Sequence, residues 1–161
     1  MLRYLIKKNL IFFLIIILMF SLDRISKEYI IEFFLSYREQ SYYLYPFLNL
    51  TLVWNNGIAF GLFQSESIFY HLISVMILLV ILFLGFWLYR SDIKIEKIAL
   101  SVVIGGALGN WYDRIRFNAV PDFIDLHYLD FHWFIFNVSD IVITVGIILL
   151  LLSELLKKNE N

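Results

Sequence analysis

Four stretches of the chain carry almost no polar residues, and polar residues gather in the segments that join them. The first apolar run is Leu10 to Leu22, and with its flanks it predicts a span over about 6–33. The second is Ile68 to Tyr89, where His71 is the one ionisable residue apart from tyrosines. The third, Ile98 to Tyr112, is shorter and rich in small residues: Gly105, Gly106, Ala107 and Gly109. The fourth runs from Phe134 to Leu152 and holds Asp140 near its start. A bilayer core of about 30 Å needs roughly 20 helical residues, so the pattern predicts four membrane-spanning helices at about 6–33, 68–89, 98–112 and 134–152. Small residues in the third suit close helix packing. The first run follows Arg3, Lys7 and Lys8 as a secretory signal would. Asp23, Arg24 and Lys27 come next instead of a small-residue cleavage site, which predicts a retained anchor.

The connecting segments have a different rhythm. Tyr42 to Trp54 mixes aromatic and β-branched residues, with Leu48, Leu50, Leu52 and Trp54 in alternation, a strand signal. Asn55-Asn56-Gly57 reads as a turn, and Ala59 to Phe63 as a short helix lying in the membrane interface. Val120 to Phe136 is again rich in β-formers, with Pro121 as a breaker. The expected fold is a mainly α membrane protein: a four-transmembrane-helix bundle with a small antiparallel β-sheet and a short interfacial helix at the outer face. Strand edges cannot face hydrocarbon, so the sheet belongs at the interface or against the helices.

Composition strengthens this reading. Hydrophobic residues make up 61% of the 161 residues and charged ones only 17%, below the roughly 25% of soluble domains. A soluble core this small could not hide so much apolar surface. A net charge of −1 gives no reason to expect nucleic acid. There are no cysteines, which excludes disulfides, thiolate catalysis and cysteine-bound zinc. No linker or repeat interrupts the chain, so 1–161 reads as a single domain. Arg3, Lys7, Lys8, Arg90, Lys94, Lys97, Lys157 and Lys158 flank one set of span ends, placing both termini in the cytoplasm and 34–67 and 113–133 outside. Arg114 and Arg116 are basic on the outer side and need a separate reason.

Ionisable residues beside a span are functional candidates. Here they collect at the outer ends: Asp23 and Lys27, one helical turn apart; Asn110, Asp113 and Arg114; Asp122 and Asp125; Asn137 and Asp140. A plain interfacial layer of ion pairs would explain any one of these, but less well the whole set on one side. No serine–histidine or serine–lysine arrangement is evident, no glycine-rich phosphate loop is present, and His71, His127 and His132 follow no zinc-ligand spacing. Paired carboxylates remain. Two aspartates sharing a site keep one proton between them; the ionised one can take a proton from water while the protonated one polarises a carbonyl. That is peptide hydrolysis of the aspartic type. A proton channel or transporter would need polar residues along a path through the bilayer, and spans two and four offer almost none on their inner halves. A purely structural membrane protein is the third reading.

At these residues the chain resembles the lipoprotein signal peptidases of bacteria, or signal peptidase II. Asp23-x-x-x-Lys27 looks like the first motif and Asn55-Asn-Gly57-Ile-Ala-Phe-Gly61 like the second. Gly105-Gly-Ala-Leu-Gly-Asn110-Trp-Tyr-Asp113-Arg114 resembles the third, with Asp122-Phe-Ile-Asp125 behind it, and Phe136-Asn137-Val-Ser-Asp140 the last. The motifs occur in order across nearly the whole chain. Ser139 stands where alanine is usual, and Pro121 where an aliphatic residue is common. The resemblance implies that Asp122 and Asp140 are the catalytic pair. It implies that Asn55, Gly57, Asn110, Arg114 and Asn137 position substrate and carboxylates, and that Asp23, Lys27 and Asp113 brace the site. The implied reaction removes the signal peptide from a diacylglyceryl-modified prolipoprotein, cutting on the N-terminal side of the lipidated cysteine. No cofactor or metal is implied. The expected partners are diacylated prolipoproteins and membrane lipids, and the expected enzyme is a monomer of the bacterial cytoplasmic (inner) membrane with its active site near the outer face.

Overall fold

The glycines of the third apolar stretch let neighbouring helices close in on it, and the other elements are arranged around that helix. The computed structural model describes residues 2–56 and 67–159. In chain order the elements are α1 (Leu2–Tyr37), β1 (Ser41–Tyr45), β2 (Leu48–Asn55), α2 (Ser67–Arg90), α3 (Lys94–Phe117), β3 (Val120–Tyr128), β4 (Phe131–His132) and α4 (Val138–Asn159). α3 packs against α1, α2 and α4. A Cβ on Gly105 would lie 2.6 Å from Met19 Cβ and 2.8 Å from the Ile16 carbonyl of α1. One on Gly106 would lie 3.0 Å from the Ser139 carbonyl of α4, and one on Gly146 of α4 would lie 2.5 Å from Val103 of α3. Only glycine permits these backbone approaches.

Among the described residues, three helical segments are long and apolar enough to cross a membrane: Asn9–Tyr37, Tyr70–Arg90 and Val138–Leu156. Their apolar side chains largely face outward; Leu14, Leu18, Phe83, Phe86, Ile148 and Leu151 are all exposed. This is the arrangement lipid permits and water does not. The third expected span, 98–112, is helical throughout but sits inside a longer helix with charges in both end turns, Lys94, Glu96 and Lys97 against Asp113, Arg114 and Arg116. Its interior is buried by the other helices.

Among the described residues the sheet has four strands in the order β1-β2-β3-β4, all antiparallel. The aromatic stretch 42–54 forms two strands because Pro46 and Phe47 turn the chain between them. The last third of α1 supports the sheet: Ile30 and Phe34 form a core with Phe123 of β3, flanked by Phe33, Tyr42, Leu50, Leu52 and Val138. Pro121 is the second residue of β3 and pairs with Trp54. It tolerates its missing N–H because the strand's other edge begins pairing only at Phe123, whose N–H donates to the Phe136 carbonyl. That pairing also displaces the start of the fourth helix. Phe136 is held in a bridge to Ile124, so α4 begins at Val138 instead of Phe134. The expected sheet is present. The expected interfacial helix at Ala59 to Phe63, and Gly57, lie outside the described residues.

Candidate active site

The site rests on a buried ionic cluster between α1 and α3. Asp23 and Lys27 are one turn apart on α1, and both are fully buried, as is Asp113 of α3. The Lys27 ammonium lies 2.9 Å from Asp23 Oδ1, 2.7 Å from Asp113 Oδ2 and 2.7 Å from Asn110 Oδ1, so each of its three protons has an acceptor. Arg24 bridges the same two aspartates, with Nη2 2.8 Å from Asp23 Oδ2 and Nη1 2.6 Å from Asp113 Oδ1. Two acids and two bases balance. Buried charge survives only when paired and hydrogen-bonded in this way. Asp23 Oδ1, the oxygen that pairs with Lys27, also reaches α4, accepting the Ser139 N–H at 3.0 Å. Thus one cluster ties three helices together at a single end of the bundle.

At that end β3 and α4 each contribute one further aspartate. Asp140 lies in the first turn of α4 and is half-buried; Asp122 lies in β3 and is 4% exposed. Asn137 joins them. Its side-chain Nδ2 donates to Asp122 Oδ1 at 2.6 Å, and its backbone N–H donates to Asp140 Oδ2 at 3.0 Å. Asn55, the last residue of β2, donates from Nδ2 to Asp122 Oδ2 at 2.9 Å. Asn110 donates from Nδ2 to Asp140 Oδ1 at 2.8 Å. Each aspartate thus has both oxygens held by amide N–H donors. Burial pushes the Asp122 carboxyl up to about 6 against the hydrogen bonds from Asn137 and Asn55, with the nearby Asp140 charge adding to the rise. An apolar cavity of about 240 Å³ opens beside Asp140, walled by Phe134, Phe136, Ile141, Thr144 and Val145.

Of the expected residues, Asp23, Lys27, Asn55, Asn110, Asp113, Asn137, Asp122 and Asp140 form one connected network. Two described residues stand apart from the pair. Arg114 donates to the Asn110 backbone carbonyl at 3.2 Å and bonds neither carboxylate. Asp125 shares no partner with Asp122; it lies 2.9 Å from His132 Nδ1 and accepts from Thr51 Oγ1 at 3.4 Å. Arg116 belongs to the surface, stacked on Phe117 with 4.8 Å to the ring centroid and 3.7 Å from Glu28. Arg24 was not among the expected residues. The signal was available: an arginine beside Asp23 in an apolar helix must find a partner inside the protein or reach the interface. Among the described residues no group of three or more histidine, aspartate or glutamate side chains is placed to hold a metal.

Fold and site define a class: a bundle of apolar helices with an amide-bridged aspartate pair where helix meets sheet, supported by buried ion pairs. The family described as Signal peptidase (SPase) II matches residues 15–156. Among similar proteins is a "Lipoprotein signal peptidase" of Pelagibacter ubique, 46% identical over 148 residues, 91% of this chain and 89% of the relative. Another of the same name, from Anaplasma phagocytophilum, is 37% identical across 96% of this chain and 97% of its own. A solved structure titled "Bacterial membrane enzyme structure by the in meso method at 2.3 A resolution" superposes with a TM-score of 0.70 at 27% identity, covering 93% of this chain and 90% of that one. The chain belongs to the signal peptidase II family. It is a peptidase and a multi-pass membrane protein.

Proposed function

We propose that the protein is an aspartic endopeptidase that removes the signal peptide from diacylglyceryl-modified prolipoproteins, cleaving on the N-terminal side of the lipidated cysteine. The observation that carries this reading is the double hold of Asn137 on Asp122 and Asp140. The relatives' shared name, lipoprotein signal peptidase, supports the substrate class. Four spans, a single domain over 1–161, a monomeric state, cytoplasmic termini and a site at the outer face of the bacterial inner membrane complete the proposal; lysine and arginine asymmetry supports the orientation.

In the mechanism the pair holds one proton and one water. Asp122, the more buried member, carries the proton and donates it toward the scissile carbonyl oxygen. Asp140 takes a proton from the water as its oxygen bonds to the carbonyl carbon. The tetrahedral intermediate then collapses: the C–N bond breaks and the proton passes to the departing amine of the lipidated cysteine. Asn55, Asn110 and Asn137 hold the carboxylates so that little reorganisation accompanies the proton transfers. A substrate anchored by its signal helix and acyl chains arrives from the side, where the cavity by Asp140 is lined by apolar residues.

The test is incubation of the purified protein with a synthetic diacylated prolipoprotein peptide and with its unlipidated counterpart. Shortening of the first at the bond before the cysteine is expected. An intact lipidated peptide, with folded protein, would refute the proposal.

A further inference from the structure

Asn110 touches Asp140, and what decides which end of its amide does so is Lys27. The two ends of an asparagine amide are nearly equal in size, so packing alone does not choose between them. Lys27 Nζ, 2.7 Å from Asn110 Oδ1, can only donate. It therefore compels the oxygen to face it and turns the NH₂ toward Asp140 Oδ1 at 2.8 Å. The reversed amide would set NH₂ against an ammonium and a carbonyl oxygen against a carboxylate. Lys27 is itself immobile, being fully buried with its other two protons on Asp23 and Asp113.

We infer that Lys27 is a positioning residue for the peptidase reaction: through the orientation of the Asn110 amide it keeps an N–H donor on Asp140. This rests on the proposed pairing of Asp122 with Asp140. It assigns the buried ammonium a task beyond balancing charge in the cluster. Asp140 is thereby linked to α1, which contributes no group of its own to the pair.

The test must separate this role from charge balance. Lys27→Met alone leaves Asp23 and Asp113 facing only Arg24, and failure to fold would say nothing. Lys27→Met combined with Asp113→Asn restores neutrality, with Asp23 against Arg24, and thermal unfolding in detergent checks that it folds. For this neutral variant kcat should fall about 10- to 100-fold, the worth of one hydrogen bond to a charged group, with KM for the diacylated peptide unchanged. In an Asn110→Leu background the same two changes should cost no further kcat, because the route through the amide is already gone. Wild-type kcat in the folded neutral variant, or losses that add to that of Asn110→Leu, would overturn the inference. Asp140→Asn in the same panel keeps the two ideas apart: activity surviving there refutes the aspartate pair itself.

Discussion

Asn137 and Asp140 cap one another. The Asn137 backbone N–H donates to Asp140 Oδ2 at 3.0 Å, and the Asp140 N–H donates to Asn137 Oδ1 at 3.2 Å. This reciprocal arrangement satisfies two donors at the start of α4. It also commits the Asn137 oxygen to the helix, which leaves Nδ2 for Asp122 at 2.6 Å. A helix cap and an active-site clamp are therefore the same residue.

The two duties can be separated by mutation. Asn137→Ser keeps a capping oxygen but is too short to hold Asp122. Its kcat should fall about 10- to 100-fold, with little change in melting temperature. Asn137→Ala should lose the cap as well, at about 1 kcal/mol of stability. Parallel turnover and detergent melting curves check this; a serine variant as fast as wild type would remove Asn137 from the mechanism.

Asp122→Asn and Asp140→Asn should each abolish cleavage while insertion and folding persist, since an amide can neither accept nor relay the water proton. Asp125→Asn should retain measurable activity. Asp125 is held by His132 and Thr51 and shares no partner with the pair. Turnover of the diacylated peptide by the three purified variants decides the matter. An inactive Asp125 variant beside an active Asp122 variant would reverse the assignment.

Much of this was legible because lipid makes the sequence simple: long apolar runs become helices, and each polar exception must be paired. The alternation at Leu48, Leu50 and Leu52 likewise became β2. Arg24 was legible in the same way, as a charge in an apolar helix that needs a partner, and its partners are Asp23 and Asp113. Two features were not legible. The start of α4 is set by the bridge between Phe136 and Ile124, a long-range pairing that a local apolar run from Phe134 conceals. The separation of Arg114 from both carboxylates depends on a side-chain path that spacing does not encode.

Asp122 gives the enzyme a pH signature. Its carboxyl is pushed up to about 6 from 3.8, chiefly by burial. With the proton on Asp122 required, kcat/KM should decline as pH rises above about 6, and the limb for kcat should lie higher once bound substrate excludes more water. Stability should move in the same direction. A carboxyl raised on folding contributes fully below its unfolded value and loses that contribution as pH rises through its folded one. For Asp122 the window runs from about 4 to about 6, and the swing is about 3 kcal/mol. Melting curves of wild type and Asp122→Asn across pH 3–8 check this: the variant should gain relative to wild type through the window and hold its advantage above it. A constant difference across that range would show that Asp122 is not strained by ionisation.

The tightest steric point of the site is Gly109, where α1, α3 and α4 meet. A Cβ there would collide with the Asp23 carboxylate and lie 2.5 Å from Ser139 Oγ. The carboxylate has nowhere to retreat, being fixed by Lys27, Arg24 and the Ser139 N–H. Gly109→Ala should therefore force α3 away from its neighbours, costing about 1–3 kcal/mol for overpacking. It should also reduce turnover, because Asn110 is the next residue and must still reach Asp140. Ser139→Ala removes a buried hydroxyl that has no partner among the described residues, so alone it should be neutral or stabilising. Combined with Gly109→Ala it should restore only part of the loss, since the collision with Asp23 remains. Gly85→Ala is the control: nothing lies within 4 Å of a Cβ at that position of α2, so alanine there should leave activity intact and add helix stability of up to about 1 kcal/mol. Melting temperature and turnover of the four variants give the comparison, and a Gly109→Ala protein as stable and active as Gly85→Ala would show that the three helices do not meet as closely as the ionic cluster requires.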